Sequence, residues 1–539
     1  MPQRRLSFIG LNPRPLLARS AVAIAAMAAF TAGPLALSAA TTSALVCACA
    51  EPPSADEIIA KVRAALGITA LSGERSLKLS ASGSLLGAPA ESSLVLDAAG
   101  RFARQVRGPI ELGSAFDGHD VWTRDLGGEV SRAVGGDRRD AMFNAYALSA
   151  WFFAPGCTST ITLDESAKPA DAPVLLISTE PNRAPIKVSI DPATWLPRSW
   201  KSEESGSTRS IDITEWREQS GIKVPAKAML SAEGMTDTFE LTKLEVLDRA
   251  PADAFAKPSG GPTHATFDPS LPAILAVERA PTGHLLVKAS INAQDCGWFI
   301  FDTGAGINCV SKTVAEKLAL KQIGAVPARG VGGVTQSPLF RPESLAVGPM
   351  TLHDGLLMQL DLSFLTLPLG REIGGIVGFG FLMRSVAEVD MGKGEISLHD
   401  PDAFKLGGAE WTGIEITDRV PAVRASFDRG EGLFRLDTGA NTALTFHAPT
   451  VERMKLLDGR KVTDAMLGGV GGAIKAKAAT LEWFTIGGQR LEKLAATFAL
   501  ENKGAFANPD IDGNIGAGIL RNFKLVFDYP HERMAFIKH

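Results

Sequence analysis

Trp298-Phe299-Ile300-Phe301-Asp302-Thr303-Gly304-Ala305 and Leu433-Phe434-Arg435-Leu436-Asp437-Thr438-Gly439-Ala440 are two copies of one local design, an apolar strand running straight into Asp-Thr-Gly-Ala. Other features return in the same order. Gly330-Val331-Gly332-Gly333 recurs as Gly469-Val470-Gly471-Gly472, and Val347-Gly348 as Ile486-Gly487. Ile373-Gly374-Gly375-Ile376-Val377-Gly378 recurs as Ile511-Asp512-Gly513-Asn514-Ile515-Gly516, and Asp390 as Asp528. At average usage a given tripeptide falls at roughly one position in ten thousand. Five features in one order at nearly one spacing are therefore a duplication, and residues 268–402 and 403–539 are expected to be two copies of one lobe.

The setting of each Asp-Thr-Gly suggests its use. An aspartate at a strand end accepts N–H bonds from its own turn, and the neighbouring threonine hydroxyl can bond across to a second loop. Gly304 and Gly439 are expected to allow a tight turn that larger residues could not enter. A single Asp-Thr-Gly is commonly no more than an Asx turn. Two in matched positions point to a pair of carboxylates.

These residues resemble the pepsin and retropepsin group of aspartic peptidases, and more closely the bacterial retropepsin-like members with two lobes in one chain. The resemblance covers about 270 residues. It rests on both Asp-Thr-Gly-Ala motifs and on the hydrophobic-Gly segments Ile376-Val377-Gly378 and Ile515-Gly516. It implies a mainly β fold in which two retropepsin-like lobes face each other about a pseudo-twofold axis. It also implies catalytic roles for Asp302 and Asp437, with Thr303, Gly304, Thr438 and Gly439 in support. The glycines Gly330, Gly332 and Gly333, and in the second copy Gly469, Gly471 and Gly472, fall where the family places a flap hairpin. The substrate it implies is a peptide or protein, lying extended between the lobes as an added strand. No cofactor or metal is implied. Two aspartates in contact cannot both ionise, so they share a proton and titrate as a unit.

Three departures stand out. Only Tyr146 and Tyr529 occur in the chain, so no flap tyrosine is present, which moves the match toward the retropepsin branch. Asn514 stands where the first copy has Ile376. Arg435 puts a charge on the second strand, where it is expected to face away from the core.

Upstream the text changes. Ser54-Ala55-Asp56-Glu57 is a capping box opening a short helix with Ile58, Ile59, Val62 and Leu66 on its apolar side, closed by Gly67. From about Arg75 to Leu247, alternating apolar residues and turn pairs such as Asp117-Gly118 and Gly135-Gly136 predict an antiparallel meander. Residues 51–260 are thus expected to form a separate antiparallel β domain with a short N-terminal helix. Two segments, Phe116 to Trp122 and Ile190 to Trp200, resemble the hairpins of lipoprotein-carrier half-barrels. Pro258 to Thr263 is expected to be a linker.

Residues 1–50 are expected to be a targeting segment. Arg4, Arg5, Arg14 and Arg19 are their only charges, and an apolar run from Ala21 ends near Ala48-Cys49-Ala50. This predicts export, to the periplasm or the exterior. An uncleaved membrane anchor is the other reading, and Gly33-Pro34 argues against it. No later stretch is a candidate span.

The 539 residues carry a net charge of −4, which gives no electrostatic case for nucleic acid. Removing the leader leaves 51 basic against 59 acidic residues, and a monomer with its lobes paired within the chain is expected. No His-Glu-x-x-His, Gly-x-Ser-x-Gly or P-loop pattern occurs, and the eight histidines are scattered. Cys296 and Cys309 flank Asp302, and spacing alone leaves open whether they bridge. The reading that follows is an aspartic endopeptidase. The alternative is an envelope protein that binds peptide or lipid in a degenerate peptidase cleft without hydrolysing it.

Overall fold

In the computed structural model the described residues are 53–166, 172–181, 183–204, 207–261, 263–330, 333–469 and 472–539. The expected targeting segment lies outside them, as do Gly332 and Gly471. Among the described residues the chain is mainly β, and no helix is long and apolar enough to cross a membrane.

The capping box forms as the sequence predicts. Ser54 Oγ accepts the Glu57 amide, Glu57 returns a bond to the Ser54 amide, and the helix Ala55–Leu66 ends at Gly67 in a left-handed conformation. A side chain at Gly67 would collide with the Gly221 carbonyl, so glycine is required there for space as well as for φ.

The leading sheet has thirteen strands, but their order is not that of a simple meander. The first six, from Ser76–Leu85 to Val130–Arg132, step outward to one edge. The other seven, from Thr160–Leu163 to Met235–Leu247, return from the opposite edge. First and last strands therefore pair, with Leu77 opposite Val246. The crossing between the edges is the helix Gly135–Ser149, which the sequence reading took for a turn within an unbroken meander. Its second half is buried on nearly every side (Ala145, Tyr146, Ala147, Leu148 and Ser149 in succession), so no apolar stripe of helical period shows in the sequence. Both helices pack on one face of the sheet, where Phe152 and Phe153 close over the fully buried Trp200.

Residues 268–402 and 403–539 each carry the same three-strand arrangement. The strand Gln294–Phe301, which leads into Asp302, runs parallel to Gly375–Val377, and that strand runs antiparallel to Asn308–Ser311. Likewise Gly430–Leu436, leading into Asp437, runs parallel to Gly513–Ile515, which is antiparallel to Leu444–Phe446. The two halves also share a five-stranded sheet. At its centre Val386–Asp390 pairs with Phe523–Asp528, Val386 opposite Asp528 and Asp390 opposite Lys524. Shifted by the 138 residues of the sequence repeat, this register maps onto itself. The repeated aspartates cap the turns that follow: Asp390 Oδ1 accepts the Lys393 amide at 2.8 Å, and Asp528 holds His531 and Arg533. Below lies one continuous core including Phe299, Phe301, Phe434, Phe446 and Tyr529.

The leading sheet is bound to both halves. Thr263 Oγ donates to Gly127 O at 2.8 Å, Arg384 pairs with Glu129, and Asp510 receives Arg139 and Arg183. Residues 52–539 accordingly form one compact unit.

Trp200→Ala should cost about 3–5 kcal/mol of stability, the usual penalty for emptying so large a buried site. Chemical denaturation of the two chains measures this. A loss below about 1 kcal/mol would contradict the assignment of Trp200 to the centre of that core.

Candidate active site

Asp302 and Asp437 are each fixed by a backbone bond across to the parallel strand: Asp302 N–H to Val377 O at 3.0 Å, Asp437 N–H to Ile515 O at 2.9 Å. Each then opens a turn closed by the amide three residues on, Ala305 to Asp302 O and Ala440 to Asp437 O. The two turns meet face to face.

Thr303 and Thr438 make the joint. The Thr303 hydroxyl donates to Leu436 O at 2.7 Å and accepts the Thr438 amide at 3.1 Å. The Thr438 hydroxyl donates to Phe301 O at 3.0 Å and accepts the Thr303 amide at 3.0 Å. Both threonines are buried. Four reciprocal bonds, each net about 1 kcal/mol and costlier to leave half-made, weld the loops. His284 adds a bond from outside, its Nε2 2.7 Å from Gly439 O and its Nδ1 2.6 Å from Thr282 Oγ. Nothing in the chain marks this histidine beyond its place in a turn.

The glycines serve a purpose different from the one expected. Neither Gly304 nor Gly439 has a positive φ, so the turn itself does not demand them. A Cβ at Gly304 would lie 2.5 Å from the Asp437 carboxyl carbon, and one at Gly439 2.3 Å from Asp302 Oδ2. Each glycine is the space that the opposite carboxylate occupies.

The two carboxyls hydrogen-bond each other. Asp302 Oδ1 also accepts the Gly304 amide at 2.7 Å and the Gly439 amide at 3.2 Å. Burial raises Asp302 above the ordinary carboxylate range while these amides oppose the rise. Burial, and then the Asp302 charge, push Asp437 up to about 7. The pair thus shares one proton around neutrality, and the two amides on Asp302 Oδ1 favour Asp302 as the ionised partner. Beneath them Tyr529 is fully buried, and burial together with both aspartates drives its phenol far above its usual range.

Strand alternation sorts the surroundings into two faces. Phe299, Phe301 and Val377 point into the main core, whereas Ile300 and Ile376 point the same way as Asp302. With Cys309, Val326, Ala328 and Leu339 they belong to one buried apolar cluster, against which Ala305 and Ile307 pack. Into it reaches Ile110, on the connection between strands Phe102–Arg107 and Leu112–Phe116 of the leading sheet, and only 1% exposed. Burying one isoleucine contributes about 1.5–3 kcal/mol. Cys296 and Cys309 are both free thiols on opposite faces of this strand pair.

The same face is polar around Asp437. Arg435 faces away from the main core as expected, but that face is covered. It is 6% exposed and pairs with Asp418, whose Oδ2 also accepts Asn508 Nδ2 at 2.7 Å. Having the same strand parity as Asp437 puts it on the carboxylate side, where the counter-ion makes its burial tolerable. Asn514, opposite Arg435, donates its amide to Asp437 Oδ2 at 3.3 Å, and His447 Nε2 lies 2.9 Å from Asn514 Oδ1.

Both Gly-Val-Gly-Gly repeats fall at hairpin ends. Gly330 pairs with Gly333 between strands Gln322–Gly330 and Gly333–Phe340, and Gly469 with Gly472 between Thr463–Gly469 and Gly472–Ile486. The first hairpin contacts Gly504–Ala507 of the second half.

Asp437→Asn should stabilise the protein at pH 8 by about 1–3 kcal/mol, because the raised native pKa penalises the ionised carboxyl. The sign follows from linkage: the wild-type advantage is full below about pH 4 and is lost as pH rises through about 7. Melting temperatures of both chains from pH 4 to 9 check this, and equal pH dependence would contradict the pairing.

Residues 287–381, which contain Asp302, the first hairpin and Ile376, match a protein-family model described as Aspartyl protease. No curated protein matches the chain.

Proposed function

We propose that this protein is an aspartic endopeptidase that hydrolyses peptide bonds with a water held between Asp302 and Asp437. The observation that carries this reading is reciprocal: each carboxylate sits in the space left by the other loop's glycine, and each threonine bonds the other loop's backbone. The match of residues 287–381 supports an aspartyl protease-like function for the first half. The self-mapping register of Val386–Asp390 with Phe523–Asp528 supports two equivalent lobes, 268–402 and 403–539, about a pseudo-twofold axis. The leading domain spans 51–260, and residues 1–50 direct export to the periplasm or the exterior.

The division of labour follows from the hydrogen bonds. Asp302 accepts two backbone amides and carries the negative charge, so it takes a proton from the water as that water attacks the scissile carbonyl carbon. Asp437, protonated, donates to the carbonyl oxygen as it becomes tetrahedral. Collapse breaks the C–N bond: the amine leaves with the proton held by Asp302, a hydroxyl of the intermediate returns a proton to Asp437, and the new carboxylic acid is released. The loop welds keep both carboxyls positioned through this sequence, so no reorganisation is needed at the moment of reaction. An extended peptide would run between the two hairpins, its backbone pairing with their inner edges.

Purified residues 51–539 should cleave members of a random peptide library, with a bell-shaped pH profile whose alkaline limb falls near pH 7 as Asp437 ionises. Asp302→Asn and Asp437→Asn should each lower kcat/KM by at least about a thousandfold while the chain stays folded. If either variant keeps near-normal cleavage, the peptidase reading is falsified.

A further inference from the structure

The dyad is symmetric in its motifs but not in its neighbours, and the asymmetry is concentrated in Asn514 and His447. In the first half the residue two before Gly378 is Ile376, which offers Asp302 nothing but apolar surface. In the second half the residue two before Gly516 is Asn514, whose amide nitrogen reaches Asp437 Oδ2. His447 is fully buried and neutral, its pKa lowered to about 4 by burial and then by Arg435. With Asn514 Nδ2 on Asp437 Oδ2, the asparagine's Oδ1 faces His447 Nε2 at 2.9 Å, so the ring proton is on Nε2 and donates to it. This fixes the asparagine with its oxygen on the histidine and its nitrogen on the aspartate.

We propose that Asn514, oriented by His447, is a positioning residue that directs the acid proton of the dyad. A donor on Asp437 Oδ2 leaves the proton to the other oxygen, Oδ1. The carboxyl is thereby held in the one orientation from which it protonates a carbonyl. The charged and titratable groups facing this chain are Asp302 and Tyr529 at the aspartate, and Arg435 and Asp512 at the histidine. The inference rests on the peptidase reading. Asn514→Ile, which installs the residue found in the first half, should lower kcat about tenfold or more with KM little changed. It should also move the alkaline limb up by about half a unit, since a donor to the ionised carboxyl is lost. His447→Ala should give a smaller loss of the same kind, partly restored by His447→Gln. Melting temperature against pH reads the same carboxyl without turnover, so the inference is decided even if the wild-type chain cleaves nothing. Unchanged kcat and limb, or an unchanged melting profile in a non-cleaving chain, would overturn it.

A second, independent observation concerns Ile110. Ile110 is buried in the cluster that holds Ile300 and Ile376, on the Asp302 face, and Val326, Ala328 and Leu339 of the first hairpin, and a methyl added at Gly324 would sit 2.7 Å from Ile110 Cδ1. We infer that Ile110 occupies the place of a substrate's aliphatic side chain, so the leading sheet closes the cleft until the connection carrying Ile110 withdraws. This too rests on the peptidase reading, and its test avoids turnover. A fluorescein-labelled octapeptide with Ile and Val at its centre is titrated into residues 51–539 carrying Asp302→Asn, with and without Ile110→Ser. Binding should be at least about fivefold tighter in the Ile110→Ser chain. With Ile110 intact, saturating peptide should speed hydrogen exchange at 110–112, an arm that still decides if the serine variant misfolds. Equal affinity with unchanged exchange, or no binding by either chain, would overturn the inference while leaving the cleavage assays free to stand.

Discussion

The site depends on how closely two backbone loops can approach. Each carboxylate needs the volume in which the other loop would carry a Cβ, and each threonine hydroxyl needs a carbonyl from the other half. Neither condition can be met by one half alone. The core beneath, with Phe299, Phe301, Phe434 and Tyr529, and the shared sheet of Val386–Asp390 and Phe523–Asp528 set the halves at the separation that satisfies both. The energetic logic is one of constraint. Two buried carboxyls repel when both are ionised, and the threonine bonds and core burial hold them together against that repulsion.

Around this shared centre the halves differ in chemistry while sharing strand order. On the Asp302 side the carboxylate face is aliphatic. On the Asp437 side it is a hydrogen-bonded polar cluster in which Arg435 is balanced by Asp418. Asymmetry of this kind suits a reaction in which one carboxyl must be base and the other acid, because environment assigns the roles. The leading sheet takes part as well, since its ion pairs to Asp510 and Arg384 and its Ile110 bring it against both halves.

What the sequence disclosed was whatever repeats or has a fixed period. The paired Asp-Thr-Gly-Ala motifs, the hydrophobic-Gly segments and the glycine-rich hairpins were legible because each is written twice in the chain. The capping box at Ser54 was legible because it is local. The helix Gly135–Ser149 escaped because burial on all sides erases the apolar stripe by which a helix is recognised. The role of Gly304 and Gly439 was misassigned to backbone freedom because the obstructing carboxylates, of Asp437 and Asp302, lie in the other half of the chain. Arg435 faces away from the core as strand parity predicts, but parity says which residues share a face, not whether that face is covered. Asn514 looked like an imperfect copy, and His447 and His284 like scattered histidines. Their partners come from other strands and cannot be read from neighbours in the chain.

The central claim is that Asp302 and Asp437 act on one oxygen between them. A crystal structure of residues 51–539 with a bound statine-containing peptide tests it most directly, since the statine hydroxyl stands in for the attacking water. The account predicts that hydroxyl within hydrogen-bond distance of both carboxyls, with the peptide extended between the hairpins. A peptide bound elsewhere, or a hydroxyl touching neither aspartate, would contradict it.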